Sequence, residues 1–377
     1  MSSPNISKVA AFVQSRFVDL TLSRDFAFSR LGIEKSDTGQ AGGRSLLDVE
    51  TKAAEQKQKK QATEQEFRVY VNEYFHEQLF DYIEQRTKDT DYIFSELLTI
   101  EPEIPKIFDA CAAPATGVKQ LVPLIEALPW LKAIFLHRIN KSPFREEKST
   151  KPTVEKVDLG IRYIGIENTK FLLMSEIGKR WLPHSTEPFS DFKNSAWLYS
   201  IATANCMRAL APLYKLSPEV AFFFGLFHAV GGNLMLRMYL RAFNTVRVEQ
   251  MKETSKAGRK DIEKVLDTLE VDPSFVSQAL LTYSWRLTCT VFEKMGLKFA
   301  VVAPFAEEAL HKTPITEASP MTQALYQAKS FAQYKMLQKN RLIELDEAKA
   351  FLTHSRINNT IIGELNKVNL TKIKFSV

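Results

Sequence analysis

Apolar residues recur at spacings of three and four along most of the chain, and this pattern predicts a helical protein. The first apolar stripe spans residues 5–33, which we interpret, within residues 1–33, as an N-terminal amphipathic helix that stops at Gly32. Because an isolated helix is marginal in water, we expect the stripe to dock on the rest of the protein or on a partner. Its members are Val9, Phe12, Val13, Phe17 and Leu20.

Residues 34–66 break this pattern. They open with a stretch rich in Gly and polar residues and continue with Lys, Gln, Glu and Ala, with almost no large apolar side chain. Such a composition is typical of a linker or of an exposed helix. We predict a polar linker over residues 34–66.

Helical spacing resumes at Phe67, and we interpret residues 67–319 as the main domain. Predicted helices cover about 67–83, 93–98, 104–111 and 121–131. Another begins at Ser217-Pro218, because a serine hydroxyl accepts bonds from free amide groups and proline fits the first turn. No convincing strand-like alternation occurs, so the predicted fold class is all-α.

Residues 320–377 form a predicted C-terminal helical extension with helices over about 322–337, 342–352 and 357–365. A basic and apolar tail follows. One interpretation is an extension that docks on the helical bundle, because apolar termini often pack back. The alternative is a contact with a partner or with nucleic acid.

Composition limits the class of protein. The chain has 377 residues, of which 45% are hydrophobic and 25% charged, as in ordinary soluble domains. A net charge of +6 suits either attraction to nucleic acid or a solvated surface with a lysine excess. The absence of a dense basic and aromatic cluster favours the second interpretation.

The cysteines and the chain termini indicate a compartment. Cys111, Cys206 and Cys289 are far apart in apolar helical contexts, as expected of reduced, buried thiols. No secretory leader is evident, and no apolar run approaches the roughly 20 residues of a membrane helix. We therefore predict a cytoplasmic protein without a membrane span.

Four local motifs follow one another along the main domain. Asn140 and Pro143 are placed to end a helix, and Gly165 is placed to end the next, with Asn168 as the predicted cap of the helix that follows. The motifs span residues 134–144, 154–168, 195–204 and 222–232.

These motifs resemble the HDOD domain of bacterial signalling proteins, a helical relative of the HD metal-dependent phosphohydrolases, over about residues 90–300. The resemblance implies an HD-like helical bundle. Tyr199 stands where catalytic HD proteins carry their first histidine ligand, and Ala229 stands where they carry the metal-binding aspartate. Gly232 replaces their lysine, and Thr288 replaces a proline of the family pattern.

A metal site would need imidazole and carboxylate ligands converging from several helices. His228 is the one matching ligand, because a tyrosine of reference pKa about 10 binds metal poorly and an alanine offers no donor atom. The other histidines show no metalloprotease spacing, and His184 falls in a predicted loop. We predict no metal, no cofactor and no catalytic residue.

His228 has two interpretations. It is either a core histidine bonded to a backbone carbonyl or to Tyr199, or part of a residual pocket for a nucleotide or metabolite. The candidate pocket comprises Tyr199, His228, Ala229 and Asn140. The neighbouring phenylalanines, which surround their helix on all sides, are predicted to be core.

The resemblance implies a non-catalytic regulatory module of bacterial signal transduction, acting through recognition of a signalling protein and, in one variant, of a nucleotide. A homodimer through the N-terminal helix is one form of that recognition. The alternative is a divergent HD-type phosphohydrolase acting on a nucleotide. A third hypothesis, a nucleic-acid-binding regulator, depends on the net charge alone.

Overall fold

The computed structural model describes residues 3–32, 48–141, 143–145 and 152–375, and these residues form helices and no strand. The predicted all-α class is confirmed. A π-helical turn, Ile93–Leu97, follows α4. The first nine helices are α1 (Ser3–Leu22), α2 (Arg24–Arg30), α3 (Asp48–Lys88), α4 (Thr90–Tyr92), α5 (Glu103–Ala112), α6 (Val118–Glu126), α7 (Pro129–Ile139), α8 (Val157–Ile164) and α9 (Ile166–Arg180).

The second half of the chain supplies the long central helices and the C-terminal extension. Ser217 begins α11 as predicted, because its hydroxyl accepts a bond from the amide of Val220. These helices are α10 (Phe192–Leu210), α11 (Pro218–Phe227), α12 (Val230–Lys256), α13 (Lys260–Asp267), α14 (Pro273–Met295), α15 (Ala303–Leu310), α16 (Pro320–Lys339), α17 (Leu345–His354) and α18 (Asn359–Leu365).

The predicted single N-terminal helix over residues 5–33 is wrong, because the chain breaks at Ser23. The Ser23 hydroxyl accepts a bond from the amide of Phe26 and so starts α2 as a separate helix. Gly32, at a φ of 69°, follows the end of α2. The N-terminal segment is therefore a helical hairpin and not one rod.

The predicted boundary at residue 66 has no counterpart in the structure, since α3 runs from Asp48 to Lys88 without a break. The second part of the predicted linker is thus helical, in keeping with the exposed-helix alternative. The prediction for residues 34–47 lies outside the described residues.

Two further predictions about helix ends need correction. The apolar stripe over residues 121–131 spans two helices, because Pro129 occupies the first position of α7 and begins a new helix. Asn168 does not cap α9. Gly165, at a φ of 83°, separates α8 from α9, and the Asn168 amide donates back to the Ile164 carbonyl at 2.7 Å.

The main core surrounds α11, whose phenylalanines are buried as predicted. We call Phe108, Trp181, Phe223 and Phe227 the aromatic core. The Phe108 ring lies with its centroid 4.9 Å from those of Phe223 and Phe227, and 5.8 Å from that of Trp181. Rings packed at these distances leave no room for a ligand.

The N-terminal and C-terminal helices pack onto the same side of the main domain. α1 contacts α10, α14, α16 and α17, and α16 packs along α10. The Arg16 guanidinium donates to both carboxylate oxygens of Glu347, at 2.7 and 2.9 Å. The amide of Asn205 donates to the carbonyls of Asn369 and Lys372, so the described part of the tail docks on α10.

One stretch, Pro218–Lys256, is long and apolar enough by composition to cross a membrane. This finding differs from the sequence prediction that no such run exists. The stretch comprises α11 and α12, and 78% of its most apolar window is buried inside the protein. This burial identifies the stretch as part of the protein core. The three cysteines are free and buried, as predicted.

Candidate functional site

The turn between α11 and α12 carries the residues that resemble the HD signature. Helix α11 ends at Phe227, and His228 and Ala229 connect it to α12. The Thr288 hydroxyl on α14 accepts a bond from the Gly231 amide at 3.1 Å and lies 3.1 Å from the His228 carbonyl. The threonine that replaces the family proline thus fastens the turn to α14.

Gly231 allows this close approach of two helices. A Cβ atom at Gly231 would overlap the Ser284 carbonyl oxygen and would lie 2.6 Å from the Thr288 hydroxyl. At Gly232 the nearest atom, the Ser284 hydroxyl, would be 3.7 Å away. The turn therefore needs glycine at the first position and tolerates a side chain at the second.

His228 is 4% exposed, and its Nδ1 lies 2.7 Å from the Gly225 carbonyl. Because a carbonyl can only accept, Nδ1 carries the proton of the neutral ring. Burial lowers the pKa of His228 to about 3, so the ring is neutral at pH 7. The backbone carbonyl of Gly225 is thus the partner of His228, as the core-histidine interpretation expects.

Tyr199 contacts His228 through its ring and not through a hydrogen bond. The two rings meet edge to face with centroids 4.9 Å apart. The Tyr199 hydroxyl instead accepts a bond from the Gln333 amide of α16 at 3.1 Å, and burial raises the pKa of Tyr199 above its usual value. The phenol thus stays neutral and is a poor metal ligand.

The donor atoms around the turn do not fit the metal centre of an HD phosphohydrolase. His228 supplies one nitrogen, Nε2, and Ala229 supplies none. In the described part of the chain, no group of three or more His, Cys, Asp or Glu side chains is placed to hold a metal ion. A cation held by one imidazole would also lack the carboxylate that such a site requires.

Asn140, the fourth predicted pocket residue, lies at the end of α7. Its amide donates to the carbonyls of Leu136 and Val154, and its Oδ1 accepts from the Val154 amide at 2.9 Å. These bonds tie the end of α7 to the segment before α8. Asn140 is not among the residues that line the cavity described next. The structure therefore brings together only three of the four predicted residues.

A cavity of about 790 Å³ opens beside the α11–α12 turn, and we call it the lysine cavity. Its walls come from α1, α10, α12, α14, α16, α17 and the segment between α15 and α16. Its buried residues include Tyr199, His228 and Gln333, whereas Leu281 and Lys312 are exposed at its mouth. The size falls within the range of small-molecule sites.

Lys329 of α16 lines this cavity, and the motif analysis did not identify it. Its ammonium lies 5.4 Å from the centre of the Trp285 ring, and burial lowers the pKa of Lys329 to about 8. The family resemblance ends near residue 300 and therefore does not include α16. The available signal was a lysine on the apolar face of a predicted helix, between Leu325 and Ala332.

No curated protein matches the sequence. Three solved structures resemble the chain: a proposed metal-dependent phosphohydrolase from Shewanella amazonensis (14% identity, TM-score 0.41), an HDOD domain protein of unknown function from Geobacter sulfurreducens (14%, 0.44) and a proposed signal transduction protein from Marinobacter aquaeolei (15%, 0.44).

The match to these structures extends over most of the chain. It covers 78%, 76% and 77% of this chain and, in the same order, 99%, 95% and 66% of the other chain. At these TM-scores we base no argument on them. The family match is specific, because the HDOD domain family model covers residues 97–297, more than half of the sequence. The chain therefore belongs to the HDOD domain family.

Proposed function

We propose that this protein is a non-catalytic regulatory module of bacterial signal transduction, located in the cytoplasm and acting by recognition instead of hydrolysis. The observation that carries the proposal is the α11–α12 turn. At the positions that would bind a metal it holds a neutral imidazole, an alanine and a hydrogen-bonded phenol. None of these groups can activate water as a metal-bound hydroxide does.

The lysine cavity supports recognition as the surviving activity. It is lined by residues from the main domain, the N-terminal hairpin and the C-terminal extension. A ligand there would contact all three parts of the chain at once. Such a ligand changes the equilibrium between arrangements of these parts by as much as its affinity for them differs.

A partner surface would have to lie elsewhere than on the apolar stripe of α1. Most of that stripe packs against the rest of the protein, since Val13 and Phe17 are buried. Phe12 is the member that remains 70% exposed. Helix α3 exposes Tyr70 and Tyr74 one turn apart, at 65% and 51%. Aromatic residues exposed in this way are enriched at protein interfaces.

Metal content and phosphoesterase activity test the proposal. We would purify the protein after growth with manganese, iron and zinc, measure bound metal, and assay hydrolysis of nitrophenyl phosphate and of nucleotides. We expect metal far below one ion per chain and no turnover. Near-stoichiometric metal with turnover that His228→Ala abolishes would overturn the proposal in favour of a divergent phosphohydrolase.

Restoring the missing ligands provides a matched variant. Tyr199→His combined with Ala229→Asp places an imidazole and a carboxylate beside His228. If this variant gains metal while the natural chain does not, the lost ligands alone account for the inactive site.

Light scattering tests the exposed tyrosines of α3 as an interface between copies of the chain. A change in the molar mass of the protein caused by Tyr70→Glu with Tyr74→Glu, but not by Tyr163→Glu, would identify α3 as that interface.

A further inference from the structure

We infer that the lysine cavity binds a small molecule that combines one anionic group, a carboxylate or a phosphate, with an apolar or aromatic body. This inference depends on the proposed function in one respect, since it names the class of ligand that a non-catalytic module would recognise. Its central residue, Lys329, lies outside the motif resemblance. It follows from the charges, walls and depth of the cavity.

The charges along the cavity have one sign. Among the described residues, its lining includes the ammonium groups of Lys312 and Lys329 and no aspartate or glutamate, and the His228 ring in it is neutral. The nearby carboxylate of Glu308 accepts bonds from the amide and hydroxyl of Ser319 and does not line the cavity. An anion that enters would therefore meet positive charge and no repelling carboxylate.

Lys329 is the half-buried member of this set, and its ammonium lies over the Trp285 ring. Within the described residues it forms no ion pair, and burial is the cause of its lowered pKa. A charged group in such a place normally has a counter-ion, because transfer of an unpaired charge out of water is costly. Trp285 supplies only the face of an aromatic ring. An anionic group of a ligand would complete the site.

The walls around Lys329 are apolar and aromatic. Trp285 and Tyr326 line the cavity beside it, and Phe17, Leu280 and Ile315 supply further apolar surface. A purely inorganic anion would leave most of this surface in contact with water. Burying it against an apolar body adds to affinity at roughly 25 cal/mol per Å². The combination favours an amphipathic anion.

The depth of the cavity orients such a ligand. Leu281 is 49% exposed at the mouth, whereas Tyr199, His228 and Gln333 lie at the buried end. Gln333 Oε1 and His228 Nε2 are buried there without a hydrogen-bond partner among the described residues. Lys329 lies one helical turn before Gln333 on α16, with its ammonium over Trp285, so the anionic group would reach Lys329 and the apolar body would cover Trp285.

The test uses fluorescent probes of matched shape. Anilinonaphthalene sulfonate is anionic, and phenyl-naphthylamine is its neutral counterpart. We expect one saturable site for the anionic probe at the full-length protein and at least about tenfold weaker binding of the neutral probe, the loss of one charge-assisted contact. Equal binding of the two probes, or no saturable binding to folded protein, would overturn the inference.

Variants on one helix locate the charge. Lys329→Met should weaken the anionic probe roughly tenfold and leave the neutral probe unchanged, and Lys329→Arg should retain most of the affinity. Lys335→Met is the matched control, because Lys335 also lies on α16 over aromatic rings but does not line the cavity. A loss in Lys335→Met equal to that in Lys329→Met would contradict the assignment.

Competition distinguishes the two sources of the anion and needs no variant. Decanoate and adenosine monophosphate should displace the anionic probe better than decanol and adenosine do. Whichever of the two anions competes more strongly shows whether the site prefers a carboxylate or a phosphate. If all four compete equally, the inference fails. Hydrolysis of a nucleotide in the assay above would overturn the proposed function separately, whereas absent binding without hydrolysis would overturn this inference alone.

Discussion

Lys170 is fully buried and Lys329 is half-buried, and the surroundings of the two lysines differ. Lys170 on α9 is 3% exposed, with its ammonium 3.4 Å from a carboxylate oxygen of Glu167 and 3.7 Å from one of Glu219. Lys329 on α16 has the ring of Trp285 and no carboxylate of the described residues beside it. A buried charge that serves the fold is paired inside the chain, whereas one that serves recognition is left for a ligand to pair.

Removal of the paired lysine should have the largest effect. We expect Lys170→Met to lower the free energy of unfolding by about 3 kcal/mol, because it leaves Glu219 partly buried without its cation. Urea unfolding measures this value. The control is Lys349→Met, whose exposed ion pair with Asp346 should contribute less than about 1 kcal/mol. Similar losses in the two variants would show that the buried ion pair of Lys170 contributes no more to stability than an exposed pair.

The close approach of α12 to α14 beside the cavity should depend on the glycine at position 231. We expect Gly231→Ala to destabilise the protein by about 2 to 3 kcal/mol, since its Cβ would overlap the Ser284 carbonyl oxygen of α14. The adjacent Gly232→Ala should be neutral or stabilising by up to about 1 kcal/mol, because alanine favours helix and has space there. Thermal unfolding compares the two. Equal losses of stability in the two variants would show that the turn does not depend on the close approach of α12 to α14.

The buried end of the cavity should respond to pH. The pKa of His228 is about 3 in the folded chain, against about 6.5 when unfolded, and Lys329 contributes to this lowering after burial. The unfolded state therefore takes up the proton first as the pH falls below 6.5, and stability is lost. Between pH 7 and 5 we expect a loss of about 2 kcal/mol from this residue.

Urea unfolding of the natural chain and of His228→Gln at pH 7, 6 and 5 isolates that contribution. The variant should lose less stability over this interval, because glutamine takes up no proton. Parallel losses in both proteins would mean that other groups account for the acid sensitivity. His76, whose pKa is also lowered by burial, remains in both proteins and cancels in the difference.

The smallest expected effect has the opposite sign to that of Lys170. Without ligand, Lys329→Met should raise the free energy of unfolding by about 1 kcal/mol at pH 7, because it removes an unpaired cation. The lowered pKa would correspond to about 3 kcal/mol for a fully buried group, and the smaller value applies because the half-buried ammonium keeps part of its water. The folded pKa of about 8 lies below the unfolded value, so the penalty is complete below pH 8 and fades above it. A destabilised variant would mean that Lys329 supports the fold as Lys170 does.

The sequence predicted the parts of the site that depend on local chemistry. Helical spacing placed most helices, and the apolar surroundings of His228 indicated a core histidine with a carbonyl partner. The grouping of Asn140 with that site was wrong, because the motif order gives no distance between helices. The sequence also could not pair Tyr199 with Gln333, since 134 residues separate them.

By itself the sequence determined an all-α chain, its family, and the loss of the metal ligands at Tyr199 and Ala229. Each of these follows from residue identity or from spacing within one helix. Only the tertiary structure decided that α1 and α16 meet beside the α11–α12 turn and enclose a cavity. It alone left Lys329 without a carboxylate, because the neighbours of a buried charge are set by packing between helices that are distant along the chain.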